Sequence, residues 1–253
     1  MKARSPSFSI QTRRSDRRAP AAATRWTSAR VLRELRALGE KRNVDGMARF
    51  GIVARKVLGV AKPRLDEVAR KIGRDHALAM RLWRTGVHDA RILAGMIDEP
   101  QSVTSAQMEL WVSDFDNWDI CDGTCCHLFV FAKPAWRKAV LWTARKPEFQ
   151  RRAGFALLAY LAYRDKLAPD GKFRKVMPLL VRAATDQRNF VRKAVNWALR
   201  NIGKRNKGLN VVAVRTAERI RRIDSPSARW IAADALRELR SEAVQRRLCR
   251  KAA

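Results

Sequence analysis

The sequence is poor in acidic residues and histidine, and it has no long apolar segment. Only 24 aspartates and glutamates oppose 54 lysines and arginines, which gives a net charge of +30 over 253 residues. Such a charge attracts polyanions: nucleic acid is the first candidate, because binding releases counterions from phosphate, and an anionic membrane surface is the second. No stretch approaches the roughly 18 consecutive apolar residues that span a bilayer, so a membrane-spanning helix is excluded.

The motifs of several common enzyme classes are absent as well. The chain contains no G-x-x-x-x-G-K-[ST] phosphate loop, no G-x-S-x-G turn and no H-E-x-x-H zinc motif. Its three histidines, His76, His88 and His127, are scattered, and we interpret them as packing or surface residues rather than catalytic bases. A lyase would need an activated lysine, and no lysine stands out from the basic background.

Cysteines are few, and their spacing is not that of a disulfide framework. Cys121, Cys125 and Cys126 lie within six positions, whereas Cys249 is near the end. We therefore expect reduced thiols in a reducing compartment. With His127 the three clustered cysteines would be a conceivable metal site, but no second ligand pair lies at zinc-finger spacing. The sequence predicts small buried thiols, no metal and no cofactor.

The first 25 residues differ from the rest of the chain. They contain the arginine pairs 13–14 and 17–18, with Asp16 as their single acidic residue and little apolar periodicity. This composition predicts a disordered basic arm. Either a DNA tether or an organelle transit peptide explains it, and we favour the tether. Residues 26–253 are predicted to form one domain.

From about Thr27 onward the apolar periodicity predicts successive helices and no strand. Helix starts are signalled at Pro63, Asp75, Thr104 or Ser105, Asn117, Pro134, Pro147, Asp186 and Ser225, and helix ends at Gly73, Gly86, Gly203 and about Leu239. The short breaks between these helices predict antiparallel helical hairpins.

A faint internal repeat indicates how the hairpins are arranged. The segment 149–153, Phe-Gln-Arg-Arg-Ala, is echoed 41 residues later by 190–194, Phe-Val-Arg-Lys-Ala. Ala-Leu-Arg at 198–200 recurs after 37 residues at 235–237, although coincidence in an arginine- and alanine-rich chain would produce similar echoes. These spacings are typical of HEAT-like helix pairs. We therefore predict an all-α fold, a HEAT-like helical-repeat α-solenoid that is curved and has a basic concave face.

Two residues in the 111–122 segment could carry chemistry. If Asn117 caps a helix, Trp118 and Asp122 project from the same face one turn apart, and an indole lies beside a carboxylate. The segment also holds the only acidic concentration of its kind in this basic chain. The alternative interpretation is a core tryptophan and a solvated aspartate.

A second segment, residues 190–200, interleaves cations with an indole. Arg192, Lys193 and Arg200 flank Trp197 on one predicted helix, a combination that suits a nucleic-acid backbone. A buried tryptophan with basic residues pointing to solvent is the alternative. In the preceding repeat, the 151–152 arginine pair could clamp a phosphate bidentately.

The stretches 117–122 (Asn-Trp-Asp-Ile-Cys-Asp), 150–151 (Gln-Arg) and 193–200 resemble the AlkD-like DNA alkylation repair family of HEAT-like-repeat DNA glycosylases. The resemblance runs from about residue 27 to 240 in the same order. It implies that Asp122 is catalytic, that Trp118 and Trp197 line the lesion, and that Arg151, or Arg152 after a one-residue slip, contacts the DNA backbone. The basic arm and Cys125-Cys126 lie outside the pattern, and some relatives on this scaffold bind DNA without excising bases.

One carboxylate is enough for the implied reaction. A purine alkylated at N3 or N7 is already cationic and leaves as a neutral base, so only the oxocarbenium-like sugar needs stabilisation. We therefore predict a monofunctional glycosylase that removes N3-alkyladenine and N7-alkylguanine from double-stranded DNA. We expect a cytoplasmic, nucleoid-associated monomer without cofactor or membrane contact. The alternatives are a non-catalytic binder of damaged or branched DNA and a HEAT-type protein-interaction scaffold.

Overall fold

The computed structural model describes residues 26–250, which form fourteen α-helices. No β-strand occurs in this range, where an isolated antiparallel bridge joins Gly39 and Val60. The predicted all-α class is confirmed, and the predicted basic arm lies outside the described residues. The helices are α1 (Ser28–Leu38), α2 (Lys41–Arg49), α3 (Lys62–Ile72), α4 (His76–Trp83), α5 (His88–Ile97), α6 (Ser105–Ser113), α7 (Trp118–His127), α8 (Ala135–Trp142), α9 (Glu148–Arg164), α10 (Asp170–Ala183), α11 (Asn189–Gly203), α12 (Lys207–Arg221), α13 (Pro226–Leu239) and α14 (Glu242–Arg250).

From α4 onward the helices pack in pairs. The pairs α4/α5, α8/α9, α10/α11 and α12/α13 are formed by helices that follow each other in the chain. The later helices of these pairs and α7 also pack against one another, so that α5, α7, α9, α11 and α13 lie side by side in chain order. We call these five helices the second-helix row. Each pair buries an apolar face against its neighbours, as the predicted repeat requires.

Helices of the second-helix row run parallel to one another. Asn196 and Arg200 of α11 hydrogen-bond Asp234 and Glu238 of α13, and both pairs are separated by 38 residues. Because the sequence separation is the same for both hydrogen bonds, α11 and α13 run in the same direction. The repeat seen in the sequence has a spatial counterpart, because the ring of Phe149 lies 5.3 Å from that of Phe190.

The core contains large aromatic side chains between the helix pairs. Trp83 and Trp111 stack with ring centroids 3.9 Å apart and planes inclined by 4°. Phe129 contacts Trp111 at 6.2 Å and Trp142 at 5.8 Å, which extends the cluster from α4 to α8. Burying each such side chain contributes about 1.5–3 kcal/mol, so this cluster fixes the spacing of the helices that carry the site.

Most of the predicted helix starts are confirmed, and one is wrong. The side chains of Asp75, Thr104 and Asn117 accept hydrogen bonds from the first turns of α4, α6 and α7. Asp186, however, does not cap α11, which begins at Asn189 after Arg188. The Asp186 carboxylate instead accepts hydrogen bonds from the backbone and the guanidinium of Arg188, because a nearby cation competes for the cap.

The predicted helix end at Gly86 is wrong by three residues. Helix α4 ends at Trp83, and Gly86 lies in the following turn with φ of 67°. This left-handed backbone conformation favours glycine, which explains why the residue looked like a helix stop. The ends predicted at Gly73 and Gly203 agree with α3 and α11.

Candidate active site

The local sequence of α7 sets the position of Asp122. The Asn117 side chain accepts hydrogen bonds from the backbone N–H groups of Asp119 and Ile120, at 3.0 and 3.1 Å, which starts the helix at Trp118. Asp122 follows one turn later on the same helix. The predicted arrangement of a capped helix with an indole and a carboxylate in its first two turns is therefore confirmed.

A bidentate ion pair joins Asp122 to Arg152. The Arg152 Nε–H donates to Oδ1 at 2.8 Å, and Nη2–H donates to Oδ2 at 2.6 Å. Arg152 Nη1 donates to the carbonyl oxygen of Phe190 at 2.6 Å. The side chains of Asp122 and Arg152 are only 16% and 9% exposed. One guanidinium therefore connects α7, α9 and α11 beneath the surface.

The electrostatics of this pair are set by burial and by charge. Burial raises the pKa of Asp122, and the charge and hydrogen bonds of Arg152 oppose that rise. Burial would lower the pKa of Arg152, but Asp122 more than offsets it, so the guanidinium stays charged. Both carboxylate oxygens accept hydrogen bonds from a permanent cation, which is the geometry of an ionised carboxylate.

Trp118 lies at the edge of a cleft of about 950 Å³. Its indole is partly exposed, so the alternative of a fully buried core tryptophan is wrong. The indole Nε1–H donates to the carbonyl oxygen of Phe50 at 2.9 Å, which fixes the ring against the segment after α2. Met47, Leu65 and Ile92 add apolar walls to the cleft from α2, α3 and α5.

The second predicted tryptophan, Trp197 on α11, is also partly exposed. The ring of Tyr160 on α9 meets it edge-on, with centroids 4.8 Å apart and planes inclined by 81°. Burial, and then the neighbouring Cys126 and Asp122, raise the pKa of Tyr160 far above its usual value. Tyr160 is therefore a neutral phenol that packs against Trp197.

Two buried groups hold the start of α7 against α5. His88 is buried, and its Nε2 lies 3.1 Å from an oxygen of Asp119. The amide nitrogen of Asn117 is 3.4 Å from Nδ1 of the same imidazole. His88 thus helps to hold the start of α7 in place, in agreement with its interpretation as a packing residue.

Arg151 and Arg152, either of which the sequence allowed as the DNA-backbone contact, have different partners in the structure. Arg152 is engaged by Asp122, whereas Arg151 Nη1 lies 3.1 Å from Asp186, three residues before α11. Arg188 pairs with the same Asp186 at 2.6 Å, and burial of Arg151 is less complete than that of Arg152. A DNA contact by either arginine stays a prediction.

The predicted cations of α11 have different environments. Arg192 lies over the ring of Trp230, 5.1 Å from its centroid. Arg200 donates to Glu238 at 2.6 Å, so its charge is already compensated within the protein. Lys193 is exposed, and no ion pair or side-chain hydrogen bond holds it among residues 26–250. Of the three, Lys193 has the charge most available to phosphate.

Three of the four cysteines lie on α7, the helix that carries Asp122. Cys121 and Cys125 are buried, with their Sγ atoms 3.6 and 3.9 Å from carbonyl oxygens of α9. Burial raises the pKa of the Cys121 thiol. Across the described range, no three or more histidine, cysteine or acidic side chains are grouped to hold a metal ion. The same range contains no helix that could cross a bilayer.

Residues 31–239 match the sequence model of a family described as DNA alkylation repair enzyme. The chain belongs to this family. A search of curated proteins finds no match.

A solved structure supports the fold of this DNA alkylation repair family protein. It is described as belonging to "a new family of proteins related to the HEAT-like repeat DNA glycosylases with affinity for branched DNA structures". It superposes with a TM-score of 0.70 and 21% identity, over 88% of this chain and 96% of that chain. The predicted HEAT-like helical-repeat fold is thereby confirmed.

Two side chains near the site of the alkylation repair family protein were not predicted from its sequence. Tyr160 is on the same helix as Arg152 but about 12 Å farther along it, so helical spacing alone did not place it near Asp122. Phe50 lies outside the second-helix row, and nothing in the local sequence connects it with Trp118. Its role at the site is visible only from the hydrogen bond between its carbonyl oxygen and the indole.

Proposed function

We propose that this protein is a DNA glycosylase that hydrolyses the N-glycosidic bond of positively charged alkylpurines, such as N3-alkyladenine and N7-alkylguanine, in duplex DNA. The observation that carries the proposal is the Asp122 carboxylate, held in fixed orientation by Arg152 and left 16% exposed in a row of helices that also carries two partly exposed aromatic groups. Those groups are Trp118 on its own helix and the Tyr160–Trp197 pair across the row.

Each residue has a role in this reaction. The carboxylate of Asp122 stabilises the oxocarbenium-like sugar and orients the attacking water, since the cationic base leaves without a general acid. Trp118 and Trp197 offer indole faces to the positively charged lesion, a cation–π attraction of about 0.5–2 kcal/mol each. Arg151, Arg192 and Lys193 contact the phosphates that flank it. Within a cell we expect a monomer that acts on DNA in the cytoplasm.

Release of free bases from methylated duplex DNA tests the proposal. The unmodified protein should release N3-methyladenine and N7-methylguanine, and Asp122→Asn should slow release by about 100-fold or more, because a preorganised charge is removed. Asp224→Asn makes the same chemical change at a fully exposed carboxylate and should leave the rate unchanged. If the unmodified protein releases bases no faster than spontaneous depurination, the glycosylase proposal is wrong.

A second candidate function is a non-catalytic binder of damaged or branched DNA. One observation favours it: both oxygens of Asp122 already accept hydrogen bonds from Arg152, which reduces the charge available to a sugar cation. The similarity to a solved structure whose family has affinity for branched DNA adds to it. This candidate predicts salt-dependent binding without base release, and binding that survives Asp122→Asn.

Binding measurements on three DNA probes separate the two candidates. An undamaged duplex, a duplex with N7-methylguanine and a four-way junction should be titrated at two salt concentrations. A preference for the methylated duplex together with base release supports the glycosylase. A preference for the junction with no release from any probe supports the binder. Binding that is absent, or that does not respond to salt, would favour a protein-interaction scaffold.

A further inference from the structure

The segment after α2 exposes apolar side chains beside the candidate active site. Phe50 is 73% exposed and Val53 is 75% exposed, although Ile52 between them is buried. We call residues 49–56, which begin with the last residue of α2, the 49–56 loop. No ring contact within residues 26–250 engages Phe50, so its faces are free. Two large apolar groups exposed within four residues offer an apolar contact surface to a partner.

The loop is held in place against the second-helix row. Gly51 adopts φ of 75°, and a side chain there would start 3.1 Å from the ring of Phe190 on α11. The backbone N–H of Ile52 donates to the Met47 carbonyl oxygen at 3.1 Å. These contacts turn the chain so that Phe50 and Val53 point outward while Ile52 packs inward.

The far end of the loop is fixed to α5. The backbone N–H of His88 donates to the Lys56 carbonyl oxygen at 2.8 Å. The Asp89 carboxylate then accepts hydrogen bonds from the backbone N–H groups of Leu58 and Val60, at 2.7 and 2.8 Å. An apolar group that is held at both ends of its segment can be inserted into a partner with little further loss of chain entropy.

The charge around the loop selects the partner. Arg49, Arg55 and Lys56 are exposed, and none of their side chains forms an ion pair with another residue of the described range. The sequence contains no acidic residue from position 46 to position 65. Exposed apolar groups in a purely cationic segment are complementary to a nucleic acid, which offers base faces between phosphates.

The loop is also connected to the lesion site, because the carbonyl oxygen of Phe50 accepts the hydrogen bond of the Trp118 indole. We infer that Phe50 and Val53 form a wedge that enters the DNA stack beside the damaged pair and unstacks it, while Arg49, Arg55 and Lys56 contact the flanking phosphates. The inference rests on the proposed binding of DNA at Trp118. It assigns to the loop a function that base excision alone does not require.

A wedge is suited to damaged DNA. Unstacking a base step costs least where the pair is already weakened, so an inserted ring favours damaged sites over intact duplex. Because Phe50 is beside Trp118, its phenyl group would separate the two stacked base pairs next to the lesion, while the Trp118 indole remains against the lesion itself. The wedge therefore adds to lesion selection before any bond is broken.

Fluorescence of 2-aminopurine placed next to N7-methylguanine tests the inference, because this base analogue brightens when it is unstacked. The Asp122→Asn protein serves as the reference, so that unstacking is read without base release. Adding Phe50→Ala to it should abolish the brightening and weaken binding by about fivefold or more, the loss of one aromatic contact with a base. Phe50→Tyr should retain both effects. Leu167→Ala, which removes a 96% exposed apolar group after α9, is the matched control and should change neither.

The outcomes separate the wedge from the proposed glycosylase. Brightening that depends on Phe50 supports the wedge even if the unmodified protein releases no base. Brightening that persists with Phe50→Ala, or that is absent while base release proceeds, overturns the wedge and leaves the glycosylase intact. Failure of the Asp122→Asn protein and of the unmodified protein to bind any duplex, measured by anisotropy, overturns both.

Discussion

Arg152 and Asp122 form a bidentate ion pair between α9 and α7, and the remaining nitrogen of the guanidinium binds the backbone of α11. The pair therefore has two consequences. It aligns the proposed catalytic carboxylate, and it joins three neighbouring helices of the second-helix row. Substitutions here should change stability and activity to different extents.

Arg152→Ala should destabilise the protein by about 3–5 kcal/mol, because it leaves the largely buried Asp122 without its cation. Chemical denaturation with far-ultraviolet circular dichroism measures the change. Asp122→Asn should also destabilise the protein, because its amide NH2 group faces a donor of Arg152 and the buried guanidinium loses its counter-charge, while the amide oxygen keeps one hydrogen bond.

A double-mutant cycle isolates the pair. In the Asp122→Asn background, Arg152→Ala should cost clearly less than it does alone, because a neutral amide and not a carboxylate then loses its partner. Equal costs in both backgrounds would mean that the two side chains are not energetically coupled. The same cycle at the exposed Arg229 and Asp224 should give a coupling close to zero.

Base release should depend on the ionisation of Asp122. Burial raises the pKa of this carboxyl above its usual value of 3.8, and Arg152 only partly opposes the shift. The sugar cation is stabilised by the ionised form, so the rate should fall as the pH decreases through that raised pKa. Single-turnover release from pH 8 downward, corrected for spontaneous depurination, measures the profile. An enzymatic rate that stays constant down to pH 3.8 would contradict a catalytic role for this group.

The local features of the site were predictable from sequence, and its long-range partners were not. The Asn117 cap and the helical period place Trp118 and Asp122 without reference to the rest of the chain. The partner of Asp122 could not be predicted in this way. Asp122 of α7 and its partner Arg152 of α9 are 30 residues apart in the sequence, whereas Arg152 and its contact Phe190 of α11 are 38 residues apart. Because the repeats are unequal, no single period predicts which arginine reaches the carboxylate.

Predictions of helix starts were missing or wrong where the side-chain signals were weak or misleading. Helices α5 and α10 follow Val87 and Pro169, which provide no side-chain cap, and no start was predicted there. Asp186 offered the signal of a cap, but its carboxylate is occupied by Arg188. Asp186 is held both by Arg188 two residues later and by Arg151 of α9, so a residue of the right type for a cap does not act as one.

Trp197→Ala should reduce discrimination for cationic lesions. Loss of one cation–π contact corresponds to binding of an N7-methylguanine duplex that is about 2- to 30-fold weaker, with little change for undamaged DNA. Fluorescence anisotropy with the two duplexes measures the ratio. Tyr160→Phe keeps the ring that packs on Trp197 and should preserve it. An equal loss of affinity for both duplexes would assign Trp197 to general DNA binding instead.

Lys193→Ala should lower the salt dependence of DNA binding. A lysine that neutralises one phosphate contributes about 0.9 to the slope of log K against log salt. Arg200→Ala should leave the slope nearly unchanged, because Glu238 and Asp234 already compensate that guanidinium. If instead Arg200→Ala lowers the slope and Lys193→Ala does not, the phosphate contact lies on the α13 side of α11.

Gly154→Ala should disturb both the fold and the site. A Cβ at Gly154 would lie 2.6 Å from the Thr143 backbone nitrogen and 2.8 Å from the Trp142 carbonyl carbon, so α9 would have to move away from α8. Overpacking of this kind costs about 1–3 kcal/mol. Since Arg152 is two residues earlier on α9, the displacement should also loosen its bond to Asp122 and slow base release.

Gly171→Ala is the matched control: a Cβ in α10 meets nothing within 4 Å, and the change should stabilise the helix by about 0.5–1 kcal/mol. A Gly154→Ala protein with unchanged stability and full base release would mean that the close contact between α8 and α9 does not position the carboxylate.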